Sequence, residues 1–137
     1  MTAVIDASAL VAYCLKEEGL DREKLKEHLR NGVVSIELVK AESANAILVA
    51  KRRAIIDDNA ARLALASVLE ISGINVKMMP QDDELISDSF ELSSTNTLAI
   101  YDLLYLSLAK KTGGVLLSKD ESQIRLARKL GIEVEKI

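Results

Sequence analysis

Asp6, Glu42, Asp102 and Asp120 are acids placed where the fold alone gives a carboxylate little reason to be. Asp6 closes the apolar run Ala3-Val4-Ile5, and Asp120 follows Val115-Leu116-Leu117-Ser118-Lys119. Glu42 and Asp102 interrupt stretches that otherwise read as helix core. Brought together, four such side chains would form a hard, oxygen-lined site for a divalent cation. Mg²⁺ and Mn²⁺ take oxygen ligands, and Mg²⁺ keeps several of its waters. Carboxylates without a histidine or cysteine cluster suit those ions and suit zinc badly.

Each acid also has a purely structural role open to it. Asp6 and Asp120 both precede helices and could cap them by accepting a backbone N–H one turn on; Ser8 could cap in place of Asp6. Asp102 lies early in the helical run Ile100-Tyr101-Asp102-Leu103-Leu104-Tyr105-Leu106, where the helix dipole favours negative charge. Glu42 is the hardest to explain away. At about 100° per residue, Leu38, Glu42, Asn45 and Val49 share one stripe, with Lys40, Ser43 and Lys51 opposite. That places Glu42 on the inward face, where a lone charge is costly unless it is paired, for example with Arg52, or bound to a cation.

The elements that must position these acids alternate in type. Strands are expected at about 2–6, Val33–Ile36, Ile74–Met78, Val115–Leu117 and Ile132–Glu135. Helices are expected at about Ser8–Lys16, 21–31, 37–53, Asp57 to near Gly73, 81–93, 99–112 and 121–130, with a turn over Ser94–Thr97. Short β-rich runs separated by helices predict an α/β fold: a three-layer α/β/α sandwich around a mostly parallel five-stranded sheet. Ligands of such sheets bind beyond the carboxyl ends of the strands, where the strand order reverses. Strands one and four commonly flank that crevice, and they carry Asp6 and Asp120 to it.

The 137 residues suggest one domain, and 49% hydrophobic residues supply a real core. No apolar run approaches the roughly 18–20 residues of a membrane span, and no secretory signal opens the chain, so a cytoplasmic protein is expected. Cys14 stands alone and reads as a reduced, structural thiol. His28 sits in a charged helix and reads as a surface residue without a catalytic role. A net charge of -3 argues against a protein that simply coats nucleic acid. It is compatible with a nuclease, because outside the four acids the remaining charges nearly balance and bound metal offsets the acidic site.

Other chemistries lack their residues. No glycine-rich phosphate loop and no GxSxG elbow is present. A phosphoacceptor receiver needs paired acids after strand one and an aspartate closing strand three, yet Asp6 has no acidic neighbour and strand three runs into Met78-Met79-Pro80. Aspartate-nucleophile phosphatases want a second acid where Ser8 stands.

The chain resembles the PIN domain, and within it the VapC type of toxin–antitoxin ribonuclease. The likeness is carried by Val4-Ile5-Asp6-Ala7-Ser8-Ala9-Leu10, Glu42-Ser43-Ala44-Asn45-Ala46, Tyr101-Asp102-Leu103-Leu104-Tyr105-Leu106-Ser107-Leu108-Ala109 and Leu116-Leu117-Ser118-Lys119-Asp120-Glu121, in order along the whole chain. The resemblance implies that Asp6, Glu42, Asp102 and Asp120 bind Mg²⁺ or Mn²⁺ and that Ser8 supports the metal site. It further implies hydrolysis of RNA to a 5′-phosphate and a 3′-hydroxyl, a cognate antitoxin that packs near the site, and a homodimer or higher homo-oligomer. Asn45 and Ser118 join Ser8 as residues that could orient a carboxylate or its water. One departure stands out: the family often has Thr-Ala-Asp before the last helix, where this chain has Ser118-Lys119-Asp120. The alternative reading is a PIN-fold module that forms complexes without catalysis.

Overall fold

The computed structural model describes all residues, Met1 to Ile137. In chain order the elements are β1 (Ala3–Ile5), α1 (Ala7–Cys14), α2 (Arg22–Asn31), β2 (Val33–Ile36), α3 (Leu38–Arg52), α4 (Asp58–Ile74), β3 (Val76–Met79), α5 (Asp83–Leu92), α6 (Ile100–Thr112), β4 (Val115–Ser118), α7 (Glu121–Lys129) and β5 (Val134–Lys136), with a short 3-10 turn at Ser93–Thr95. The sheet has five strands in the order β3-β2-β1-β4-β5, and every pairing is parallel.

Burial explains the strand composition. β1 and β4 lie in the middle of the sheet with both faces covered, so Ala3-Val4-Ile5 and Val115-Leu116-Leu117 are apolar without alternation. The edge strands are short and carry Lys77, Glu135 and Lys136, which discourages pairing with another sheet. Right-handed crossovers place α1 to α4 on one face and α5 to α7 on the other. The contacts agree: α1, α3 and α4 pack on one another, as do α5, α6 and α7 along the chain of pairs α5·α6 and α6·α7. The result is the α/β/α sandwich, and the strand order reverses between β1 and β4.

Helix ends are defined by side chains and by backbone hand. Asp6, Asp21, Asp57, Asp82 and Asp120 each cap a helix by accepting a backbone N–H from the first turn. At the other end of α1, Glu17 N–H reaches Ala12 O at 3.0 Å and Lys16 N–H reaches Tyr13 O at 3.2 Å, with Lys16 at φ 55°. This double closure around a left-handed residue recurs after α3, where Ala54 has φ 56°.

Several element boundaries and one helix face differ from the sequence expectation. α4 runs through Gly73 to Ile74, so the third strand begins at Val76. A single glycine costs a long helix only about 1 kcal/mol. The stop comes instead at Asn75, whose side chain donates to Leu29 O at 3.0 Å while Val76 enters the core. At the C-terminus, Ile132 N–H bonds Ala127 O at 2.8 Å, which assigns Ile132 to the turn after α7 and delays β5 to Val134. On α3 the inward face is Val39, Ser43, Ile47 and Ala50. Ser43, expected on the outer side, is wholly buried with an unpartnered hydroxyl, while Glu42 sits half-buried at the margin of that face.

Candidate active site

Asp6, Glu42, Asp102 and Asp120 line a single cleft of about 780 Å³ at the carboxyl end of the sheet. Four different elements deliver them: the β1–α1 junction, the second turn of α3, the first turn of α6 and the β4–α7 junction. The register between β1 and β4 pairs Ile5 with Leu117, so Asp6 and Ser118 leave the sheet side by side. Asp6 and Asp120 therefore do both things the sequence left open to them. Each caps its helix, and each also faces the cleft.

Asp6 is almost completely buried, at 2% exposure, and both its oxygens are engaged. Oδ1 accepts from Ser8 Oγ at 2.7 Å and from Ala9 N–H at 2.9 Å, and Oδ2 accepts a short bond from Ser118 Oγ. The two serines lie 3.3 Å apart. They also hold the approaching chain: Lys119 N–H donates to Ser8 Oγ at 2.9 Å and Asp120 N–H to Ser118 Oγ at 3.1 Å. Burial pushes the Asp6 carboxyl up to about 6, against the opposing pull of its hydrogen bonds and with a further push from Asp120.

Glu42 finds its partner in Tyr105, not Arg52. The phenol, 1% exposed, donates to Glu42 Oε1 at 2.7 Å across the gap between α3 and α6. Burial raises the Glu42 carboxyl; the Tyr105 bond lowers it and Asp102 raises it. Burial raises the Asp102 carboxyl too, helped by Asp120. Tyr105 itself is pushed far up by burial and by its bond to Glu42, so it stays a neutral donor. Negative charges in a part-buried cleft thus repel one another, which is the electrostatic setting a bound cation would relieve.

The acids are arranged along the cleft walls. No three His, Cys, Asp or Glu side chains stand close enough to share one ion. Asp6 and Asp120 are engaged in their helix caps and Glu42 in its bond from Tyr105. Of the supporting residues expected from sequence, Ser8 and Ser118 bond Asp6 directly. Asn45 lies exposed on the cleft wall, one turn beyond Glu42.

Two residues of the site were not foreseen. Gln123, 2% exposed, donates from Nε2 to Asp102 O at 3.0 Å and so ties the start of α7 to α6. Tyr105 had a readable signal, since it stands three residues after Asp102 and therefore on the same side of α6. Neither His28 nor Cys14 belongs to the cleft. His28 Nε2 lies 2.9 Å from Glu135 near the β5 edge, and burial pushes the Cys14 thiol up to about 11.

The PIN domain model matches residues 3–129. Ribonuclease VapC3 of Pyrobaculum aerophilum is 28% identical over 120 residues, covering 88% of this chain and 90% of that protein. A crystal structure of a Pyrobaculum aerophilum protein superposes with a TM-score of 0.68 at 26% identity, over 92% of this chain and 86% of that one. The VapBC2 structure from Rickettsia felis, bound to a promoter DNA fragment, gives a TM-score of 0.70 at 15% identity, over 100% of this chain and 99% of that one. With the family model spanning both strand-end aspartates and the two helix-borne acids between them, this chain belongs to the PIN-domain family.

Proposed function

We propose that residues 1–137 act as one PIN-like nuclease domain, a metal-dependent endoribonuclease that serves as the toxin of a toxin–antitoxin pair. The observation that carries this reading is the delivery of four acids, from four separate elements, to one cleft at the switch point of the sheet. The ribonuclease name of the Pyrobaculum relative supports RNA as substrate. No helix is long and apolar enough to cross a membrane, which suits action in the cytoplasm.

The donor set fits a hard divalent cation: carboxylate oxygens with two serine hydroxyls behind them, and no imidazole or thiolate in the cleft. Asp6, Glu42, Asp102 and Asp120 would hold Mg²⁺ or Mn²⁺, directly or through waters. The chemistry supplied on binding is polarisation of the scissile phosphate and a lowered pKa for the attacking water. The chain's own contribution is orientation. Ser8 and Ser118 fix the plane of the Asp6 carboxylate, Tyr105 fixes Glu42, and Gln123 fixes the relative placement of α6 and α7.

Partners follow from the same reading: an RNA strand in the cleft, a cognate antitoxin, and a second copy of the chain. The VapBC2 assembly supports the antitoxin as a class of partner. Exposed Leu48, Leu65 and Leu69 on α3 and α4, and Ile86 and Phe90 on α5, leave apolar surface for such contacts. A receiver-like role is disfavoured, because Asp6 has no acidic neighbour and β3 ends in Met78-Met79 where an aspartate would be needed.

The test is cleavage of labelled RNA in Mn²⁺ and in EDTA by the wild type, Asp6→Asn and Glu42→Gln, alongside calorimetric Mn²⁺ titration. Metal-dependent cutting by the wild type alone is expected. Cutting in EDTA, or by Asp6→Asn at the wild-type rate, defeats the proposal. Folded protein that neither binds Mn²⁺ nor cuts points to the complex-forming module instead.

A further inference from the structure

Resting on the nuclease reading, we infer that Lys119 takes a backbone phosphate of the RNA and that Glu17 holds this lysine in reserve until the strand displaces it. The cleft is lined by five carboxylates, Asp6, Glu17, Glu42, Asp102 and Asp120, and by one cation, Lys119. Beside the cation that the acids would hold, a polyanionic strand entering such a cleft gains from a further positive charge, and Lys119 is the one cationic side chain in the lining. Lysine suits the task as a flexible point charge for phosphate.

The geometry separates its two ends. The Lys119 backbone is pinned between Ser118 and Asp120, with its N–H on Ser8 Oγ at 2.9 Å, so its Cα is fixed next to the acids. The ammonium instead pairs with Glu17 Oε2 at 2.5 Å, another residue of the cleft lining. Both partners are partly solvent-exposed, at 29% and 39%. An exposed pair of this kind contributes little net stability, so a phosphate can replace the carboxylate at low cost. Glu17 is there by construction. The left-handed Lys16 and the Glu17-to-Ala12 backbone bond turn the chain at the end of α1 and aim residue 17 at the cleft.

The pair thus works as a latch. Closed, it neutralises the one cation of the cleft and leaves the acids to repel stray polyanions. Open, it places a positive charge one residue from Asp120, where a phosphate adjoining the scissile bond would lie. The latch requires Glu17 to act through Lys119 and not through its own charge, and that requirement gives the inference its signature.

The experiment uses the full chain and a fluorescein-labelled single-stranded oligoribonucleotide of mixed sequence. Anisotropy is measured in Ca²⁺ over a range of KCl concentrations, and cleavage is measured separately in Mn²⁺. For Lys119→Gln, the slope of log affinity against log salt should fall by about 0.7, the value of one single-strand phosphate contact. KM should rise while kcat changes little. Glu17→Gln should tighten binding by up to about fivefold, the range open to an exposed ion pair. In the double variant that gain should vanish. An unchanged slope in Lys119→Gln, or a Glu17→Gln gain that survives in the double variant, overturns the inference. Circular dichroism confirms that each variant folds. If the wild type binds RNA without cutting it in Mn²⁺, the nuclease reading fails while the slopes still decide the role of Lys119. If it cuts and the slopes do not move, the latch alone fails; if it binds no RNA, both fall.

Discussion

Replacing Asp6 by Asn should abolish cleavage and, without metal, stabilise the fold, with the gain appearing only as pH rises. The carboxyl has an ordinary value of 3.8 and is held at about 6 in the folded protein. A group raised on folding lends stability below its unfolded value and withdraws it as pH climbs through its folded one. A gap of about two units corresponds to about 3 kcal/mol of destabilisation once Asp6 is ionised. Asparagine cannot ionise, so it avoids that cost. Its carbonyl keeps the bonds from Ser8 and from Ala9 N–H, and asparagine caps helices as well as aspartate does. The amide can then donate one N–H to Ser118, whose own hydroxyl can turn to Ser8 at 3.3 Å.

Urea unfolding in EDTA at a series of pH values measures the difference directly. Asp6→Asn should match the wild type within about 0.5 kcal/mol near pH 4 and exceed it by about 1–3 kcal/mol at pH 8, with the change centred between the two carboxyl values. Saturating Mn²⁺ should shrink or cancel the difference, since ligand at about a hundredfold above Kd adds about 2.7 kcal/mol to the wild type alone. A difference that does not vary with pH would refute the reasoning, because it would mean that the charge of Asp6 is not what the buried site resists.

Further outcomes follow from other contacts. Tyr105→Phe removes the hydroxyl on Glu42 and keeps the ring, so Mn²⁺ affinity should fall by about tenfold or more in calorimetry while the circular dichroism spectrum is unchanged; equal affinity would show that Tyr105 does not orient Glu42. Ser43→Ala deletes a buried hydroxyl that has no partner, and the urea midpoint should rise by the equivalent of about 1 kcal/mol. Gly114→Ala sets a Cβ at 2.2 Å from Thr2 O in the β1–β4 pairing, and the soluble yield or melting temperature should drop sharply. Cys14, with its thiol pushed up to about 11, should react with iodoacetamide at pH 8 only slowly until urea is added.

What the sequence disclosed and what it concealed divide along the range of the interactions involved. Apolar runs such as Val115-Leu116-Leu117, and the aspartates and glycines that punctuate them, act locally, so the order and type of every strand and long helix were readable. Gly73 misled because local propensity yielded to the packing of Val76 and the reach of Asn75 to Leu29. Glu42 was placed on the correct helix but on the wrong part of its surface. Periodicity finds a stripe, yet only tertiary contacts decide which edge of the stripe faces a neighbour, and Ser43 took the buried position.

The site shows the same limit in chemical form. A cap and a ligand carboxylate looked like competing explanations for Asp6, because sequence reasoning assigns a residue one role. A carboxylate has two oxygens, and in the structure they part company, Oδ1 towards the helix and Oδ2 towards Ser118. Capping is then the means by which the backbone aims the acid: the bond to Ala9 N–H fixes the carboxylate where β1 ends, and the Asp120 bond to Gln123 N–H at 2.9 Å does so where β4 ends. A helix start placed directly after a central parallel strand therefore serves as a mount for an acid at the switch point. Lys119 is invisible to this logic, since nothing local distinguishes a solvated lysine from one held by Glu17 more than a hundred residues earlier in the chain.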